Sequence, residues 1–306
     1  MTRLFASLAA TTIFVVTIAS ACTAQAPVQY PPRASAQASV QGGARIAFRL
    51  DAARHAPRVH AQFDGQADGK DNGWSADFPA SALPGLDLAS LRAGGDQLVS
   101  FAIVRESGRI DCTGRGGRST AAGACRLAPN PHFTAFLASR GIAPATAEDS
   151  FDMLALDVRR DLVDGLHAAR YPVPTIDELV ALTALGIDSR YIAGLAGAGY
   201  RPRRLDTLIE FKAMGIGPDF IGSFVRHGLA DLAPGELVQL KALDVTGDFI
   251  ASFRQAGYPN LSVDQLIEFK ALGVTPEFAL AVRRSSAEHP TPERLVELKA
   301  IGFRPR

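Results

Sequence analysis

The chain has 306 residues, 47% of them apolar, and a formal net charge of +1, enough for two modest domains with cores and unlike a disordered or fibrous chain. Its 32 basic residues are matched by 31 acidic ones. No overall positive field draws in a polyanion, so nucleic acid is not an expected partner.

The N-terminus carries one positive charge at Arg3, then an apolar run from Leu4 to Ile18 broken only by small or hydroxyl residues, then Ala19-Ser20-Ala21-Cys22. These are the parts of a secretory signal peptide, expected over residues 1–21. The run is shorter than the roughly twenty residues a membrane-spanning helix needs. Ala19-Ser20-Ala21-Cys22 also resembles a bacterial lipobox, although leucine is preferred where Ala19 stands. That resemblance implies a lipid on Cys22 and a membrane tether; ordinary cleavage around Ala21 or Ala24 is the other reading, and both stay open. Residues 22–43 are expected to be a flexible linker, because Pro27 to Gly43 is rich in Pro, Ala, Ser, Gln and Gly and has too little apolar surface to offset the entropy of ordering.

An antiparallel β-domain is expected over residues 44–130, where apolar residues recur every second position in short runs ended by turn residues. Ile46, Phe48 and Leu50 form one run, Val59 and Phe63 a second, Trp74 and Phe78 a third. The nearly continuous run Leu98 to Val104 reads as a central strand. Glu106-Ser107-Gly108 turns the chain towards Ile110 and Cys112, and Gly114-Arg115-Gly116-Gly117-Arg118 reads as the tip of a hairpin returning through Cys125 and Leu127. With Cys22 set aside, two thiols remain, and an even pair in an exported chain usually bridges, so a Cys112–Cys125 disulfide is expected.

A repeat dominates residues 131–306. Asp157, Gly186, Gly215, Asp244, Gly273 and Gly302 stand 29 apart; so do Leu179, Leu208, Leu237, Leu266 and Leu295, and Tyr191, Phe220, Phe249 and Phe278. Each unit reads as two short helices. Thr175 with Glu178 and Ser262 with Gln265 form capping boxes for the first. The glycine series suits a left-handed helix end. Pro218 and Pro276 occupy the first turn of the second helix, which closes at Gly199, Gly228 and Gly257. Backward extension puts Phe133, Leu137 and Gly141 in phase as a lone second helix, and Thr291 to Arg306 keeps only a first helix. Such pairs cannot bury their apolar faces alone, so the units are expected to stack as an α-solenoid with a 29-residue period. The fold class is thus α+β.

Leu266-Ile267-Glu268-Phe269-Lys270-Ala271-Leu272-Gly273-Val274-Thr275-Pro276-Glu277-Phe278 and Leu240-Lys241-Ala242-Leu243-Asp244-Val245 resemble the tandem "LI-LK-LGVTPEFI" repeats of bacterial envelope proteins. In some members such repeats follow a membrane metallopeptidase of the antibiotic-sensing type. Gly108-Arg109-Ile110-Asp111-Cys112 through Phe133 is similar to the small β-module that precedes them. The resemblance covers roughly residues 97 to 306 and implies architecture, not activity. The peptidase motif H-E-x-x-H is missing, and the repeat family carries no catalytic residue to transfer.

Lys212, Lys241, Lys270 and Lys299 hold one repeat position, and Lys70 is the only other lysine. On a helical wheel Lys212 lies inside the apolar arc, between Leu208 and Leu205. Such a ladder of cations can contact an acidic partner or an anionic polymer. The plainer expectation lays each stem on the core with its ammonium at the carbonyls ending its own helix. Asp219, Asp248 and Glu277 are candidate ion partners, although helix-start preference explains them as well. Histidines at 55, 60, 132, 167, 227 and 289 share no metal-ligand spacing, so no metal or cofactor is expected. Ser107, Ser119 and Ser150 lack a nucleophile elbow. Gly114 to Arg118 lacks the Lys-Ser/Thr of a phosphate loop.

The reading that follows is a non-enzymatic envelope protein, periplasmic or lipid-anchored through Cys22, that binds an unknown protein partner through its repeats. The alternative is a sensor or cell-wall-ligand module working with a membrane regulator, resting on Trp74 beside Asn72 and Gly73.

Overall fold

The computed structural model describes residues 45–53, 58–67, 70–286 and 289–304; the expected signal peptide, the linker, Cys22 and His55 lie outside them. Six strands form one antiparallel sheet: β1 (Arg45–Asp51), β2 (Arg58–Ala67), β3 (Lys70–Pro79), β4 (Gln97–Arg105), β5 (Gly108–Gly117) and β6 (Thr120–Pro129), in the order β3-β2-β1-β6-β5-β4. Alternation sends Ile46, Phe48, Leu50, Val59, Ala61, Phe63, Ile110 and Cys112 into one core. The sheet curls enough for Phe101 on β4 to meet Phe48 on β1 edge-on at 5.0 Å and Phe63 on β2 at 6.4 Å.

Two strand expectations are corrected. The run Leu98 to Val104 is an edge strand, not a central one, and both Leu98 and Val104 are exposed. It reads as continuous because Val99, Phe101 and Ile103 face the core while Ala102, on the other face, is also buried. The free edge is covered locally: Ala102 N–H donates to Pro84 O at 2.9 Å, from the segment before the short helix α1 (Leu88–Arg92). The second correction concerns the β5–β6 hairpin. Its tip is Arg118-Ser119, with φ of 53° and 71°, and Gly114, Gly116 and Gly117 belong to β5. Close approach explains those glycines better than turn flexibility does. A Cβ at Gly114 would fall 2.2 Å from Ala122 O, and one at Gly117 would fall 1.6 Å from Gly95 O.

Twelve helices follow β6 in two alternating sets. The A helices are α3 (Ala147–Leu156), α5 (Ile176–Ala184), α7 (Leu205–Ala213), α9 (Pro234–Ala242), α11 (Val263–Leu272) and α13 (Pro292–Ala300). The B helices are α2 (Pro131–Ser139), α4 (Arg160–Ala168), α6 (Ser189–Gly197), α8 (Pro218–Arg226), α10 (Gly247–Gln255) and α12 (Pro276–Ser285). Within each set the first residues stand 29 apart in sequence. Helices of one set lie on their neighbours: α3 on α5, α5 on α7, α9 on α11, α11 on α13, and α4 on α6, α6 on α8, α8 on α10.

Most helix ends are set by local chemistry. Thr146, Thr175 and Ser262 close capping boxes, and Asp188, Thr246 and Thr275 accept from the third helical N–H. Every A helix that leads into a B helix ends on a left-handed residue, Asp157, Gly186, Gly215, Asp244 or Gly273. The next amide, of Val158, Ile187, Ile216, Val245 or Val274, returns to the carbonyl of Met153, Leu182, Phe211, Leu240 or Phe269. That bond drives its apolar side chain back onto the helix end and into the core. Small residues let B helices close up: a Cβ on Gly194 would lie 2.7 Å from Pro218 Cγ, and one on Gly165 3.0 Å from Ser189 Cβ.

One apolar core runs through the helices from Phe133 to Leu298. Helix α3 joins it to the sheet, for Met153 lies in the helical core while Phe151 and Leu154 lie in the sheet core. Among the described residues no single helix is long and apolar enough to cross a membrane.

Candidate functional site

The four repeat lysines reach rings of the neighbouring helix. Lys212 Nζ lies 4.6 Å from the centre of the Tyr191 ring, and the Nζ atoms of Lys241, Lys270 and Lys299 lie 5.0 Å from the Phe220, Phe249 and Phe278 rings. Each lysine therefore projects from an A helix over the aromatic residue of the B helix before it, an attraction between ammonium and ring face. The expectation that each ammonium meets carbonyls of its own helix is corrected for Lys270. Its Nζ donates to Asp244 O at 2.8 Å, just past the preceding A helix, and stands 3.8 Å from the Asp244 carboxylate. Lys241 and Lys299 take the matching course: a Cβ on Gly215 would lie 3.8 Å from Lys241 Cε, and one on Gly273 3.9 Å from Lys299 Cε. Among the described residues Asp219, Asp248 and Glu277 form no ion pair with these lysines.

The turns from A to B helices make up one edge of the row. Four of them place a small and then a larger apolar residue after the lysine position, Ala184-Leu185, Ala213-Met214, Ala242-Leu243 and Ala271-Leu272, and the end of α13 repeats the pair as Ala300-Ile301. The alanines are all exposed, and Leu185, Met214, Leu272 and Ile301 are between 36% and 76% exposed. This stripe was missed as a surface, although its signal stands in the sequence: residues 185, 214, 243, 272 and 301 keep the 29-residue step. On a 100° wheel Met214 also falls outside the arc of Leu205, Leu208 and Phe211.

The first turn, between α3 and α4, is the exception, because the β4–β5 hairpin grips it. Arg105 donates to the carbonyls of Leu154 and Ala155, the latter at 2.6 Å, and its Nε lies 3.9 Å from the Asp157 carboxylate. Glu106 accepts the N–H of Arg160, the first residue of α4, at 3.0 Å. A cation thus meets the C-terminus of one helix and an anion the N-terminus of the next, each matched to the local helix dipole. Burial pushes the Arg105 pKa down, and the Asp157 charge opposes that shift. The N-cap of α4, Arg159, offers no capping side chain of its own.

Trp74 is engaged inside the β-module. It stacks on Phe63 at 4.9 Å, meets Phe78 edge-on at 5.6 Å, and carries the Arg105 guanidinium 5.2 Å from its ring centre. Cys112 and Cys125 face each other in the β5–β6 register and form the expected disulfide, with their Cα atoms 4.0 Å apart. The remaining sites stay dispersed. His60 bonds Asp77 at 2.8 Å, His289 lies 4.9 Å from the Tyr258 ring, and no group of three or more potential metal ligands gathers among the described residues. A small crevice of about 80 Å³ lies among Tyr200, Ile221, Val225, Leu229 and Leu237.

No known protein family, curated protein or solved structure matches this chain.

Proposed function

We propose that this chain is a non-enzymatic protein of the cell envelope that binds other proteins along the edge formed by its A-to-B turns, its helix row acting as a solenoid scaffold with a 29-residue step. The observation that carries the reading is the exposed apolar side chain at three of the A-to-B turns, Leu185, Met214 and Leu272, repeated by Ile301 after α13. A row of apolar groups at a fixed step is costly to leave in water and suits an extended partner surface. Because the A helices α5, α7, α9, α11 and α13 each pack on a neighbour of their own set, the edge needs no rearrangement to present these groups. The likeness of the repeats to envelope repeat proteins supports the same reading. Export through residues 1–21, with either lipidation of Cys22 or ordinary cleavage, completes the proposal.

The test uses the immobilised full mature chain and a variant carrying Leu185→Ser, Met214→Ser, Leu272→Ser and Ile301→Ser, each exposed to cross-linked envelope extract. Partners held by the wild type and lost by the variant support the reading. Equal capture by both, or none by either, defeats it. Cell fractionation with lipid labelling of wild type and Cys22→Ser tests the envelope location.

A further inference from the structure

The crevice beside Tyr200 lies at the other ends of the helices, where the loop after α6 meets the loop after α8. The next two repeats show what fills this place elsewhere in the row. Arg254, one repeat on from Val225, donates to the carbonyl of His227, the last residue of α8, at 2.6 Å. Arg283, a further repeat on, stands with His289 over Gly257: a Cβ there would lie 3.1 Å from Arg283 Nη1 and 3.0 Å from His289 Nε2. In both repeats a guanidinium covers the C-terminus of the preceding B helix, the negative end of its dipole.

At the crevice that cation is missing. Val225 holds the arginine position and is 41% exposed, and its neighbour Arg226 lies back along α8 towards Gly222. Among the described residues no donor meets Ala198 O, which matches His227 O, and a Cβ on Gly199 would meet no atom within 4 Å. The place of His289 is taken by Asp231, exposed, left-handed with φ of 56°, and lining the crevice. The loop's own cations leave these acceptors open: Arg204 pairs with Asp206 at 2.6 Å, and among the described residues no ion pair reaches Asp231. An apolar wall, an aromatic ring, an open carbonyl and a carboxylate therefore converge where the neighbouring repeats keep an arginine.

We propose that this crevice binds an arginine side chain of a partner protein. The guanidinium lies on the Tyr200 ring and donates to Ala198 O and the Asp231 carboxylate, while its methylene stem covers Val225 and Leu229. Arginine fits and lysine does not, because only a planar fork stacks on a ring and donates to two acceptors at once. The site stands apart from the apolar stripe and goes beyond the scaffold reading.

The test titrates the isotope-labelled full mature chain with a capped pentapeptide holding arginine between glycines, at millimolar concentration, and with the matching lysine and citrulline peptides. Saturable amide shifts are expected at residues 198–200, 225 and 229–232 with arginine, weaker ones with lysine, and none with citrulline, which keeps the shape and loses the charge. Asp231→Asn should weaken binding at least tenfold, on the order of one lost charge-assisted contact, and keeps the fold because asparagine tolerates the left-handed backbone. Val225→Arg should place the chain's own guanidinium in the crevice and abolish the shifts; arginine already holds the matching place in the next two repeats. Unmoved amides, equal binding of the citrulline peptide, or undiminished binding by either variant overturn the proposal. The stripe variant should bind the arginine peptide like the wild type, so this inference and the scaffold reading fail separately.

Discussion

In the sheet, Phe101 on β4 packs against Phe48 on β1 and Phe63 on β2, so its core is closed by strands far apart in the chain. In the helix row, Phe253 packs against Phe249 on its own helix and Phe269 on the next, and no helix needs a distant partner. The β-module is therefore built from non-local pairings that succeed or fail together, whereas the row is a chain of nearest-neighbour contacts. The two regions meet at α3, whose Leu154 lies in the sheet core although its helix belongs to the row. Burial is shared there, and so are hydrogen bonds, because Arg105 and Glu106 cap the turn that α3 begins.

The sharpest way to break this contrast is to open a cavity in each region. Phe253→Ala removes a ring with no exposed surface and should cost about 3–5 kcal/mol. Hydrogen exchange should show lost protection in α9 to α12 with the sheet amides unchanged; equal loss in β1 to β6 means the row is not a nearest-neighbour structure. Leu154→Ala, costing about 2–5 kcal/mol, should instead weaken both regions together. Next in size is the disulfide. Replacing Cys112 and Cys125 by alanine should destabilise the sheet by about 3 kcal/mol on the chain-entropy account, read from denaturant unfolding followed by Trp74 fluorescence. The same change should leave exchange in α9 to α13 unmoved.

The contrast also explains what could be read from the sequence. Helix ends in the row are decided within a few residues, by Thr175 with Glu178 or Gly215 with Ile216, so pattern and capping chemistry located them. Strand positions were equally local, but pairing was not. That β1 lies against β6, and that β4 ends at an edge, depends on partners remote in the chain that leave no nearby signal. The same holds for the candidate surface. The apolar stripe sits in phase in the sequence, yet exposure needs the neighbouring helices in place. The grip of Arg105 and Glu106 on residues 154–160 joins segments with no shared motif. The lysine ladder was half legible, since the wheel put Lys212 within the apolar arc, but the Tyr191 ring belongs to another helix.

Alkaline titration probes the buried tyrosines of the row. Burial pushes the Tyr171 and Tyr191 hydroxyls up to about 12 from an ordinary 10.0. The folded state thus favours the neutral phenol, so this stability is complete below pH 10 and is lost as pH rises through about 12. Phenolate absorbance should show both groups titrating late, with row helicity falling over the same window. Tyr191→Phe should move the alkaline unfolding midpoint upward. It should also cost about 1 kcal/mol at neutral pH, because the Tyr191 hydroxyl donates to Ile216 O at 2.6 Å.

The smallest expected effect separates brace from binding surface. Lys241→Met keeps an unbranched stem on the core but removes the charge over Phe220, and should cost only about 0.5–1 kcal/mol. Exchange should quicken at the ends of α7 and α8 and nowhere in the sheet. Envelope partners captured by the wild type should persist, because in this reading the exposed apolar residues make the contact and the ammonium steadies the turn that presents them. If Lys241→Met keeps the row's stability and loses the partners, the ladder is the binding surface and the stripe is not. Loss of stability with partners retained assigns the lysines to the architecture, as the rings beneath them suggest.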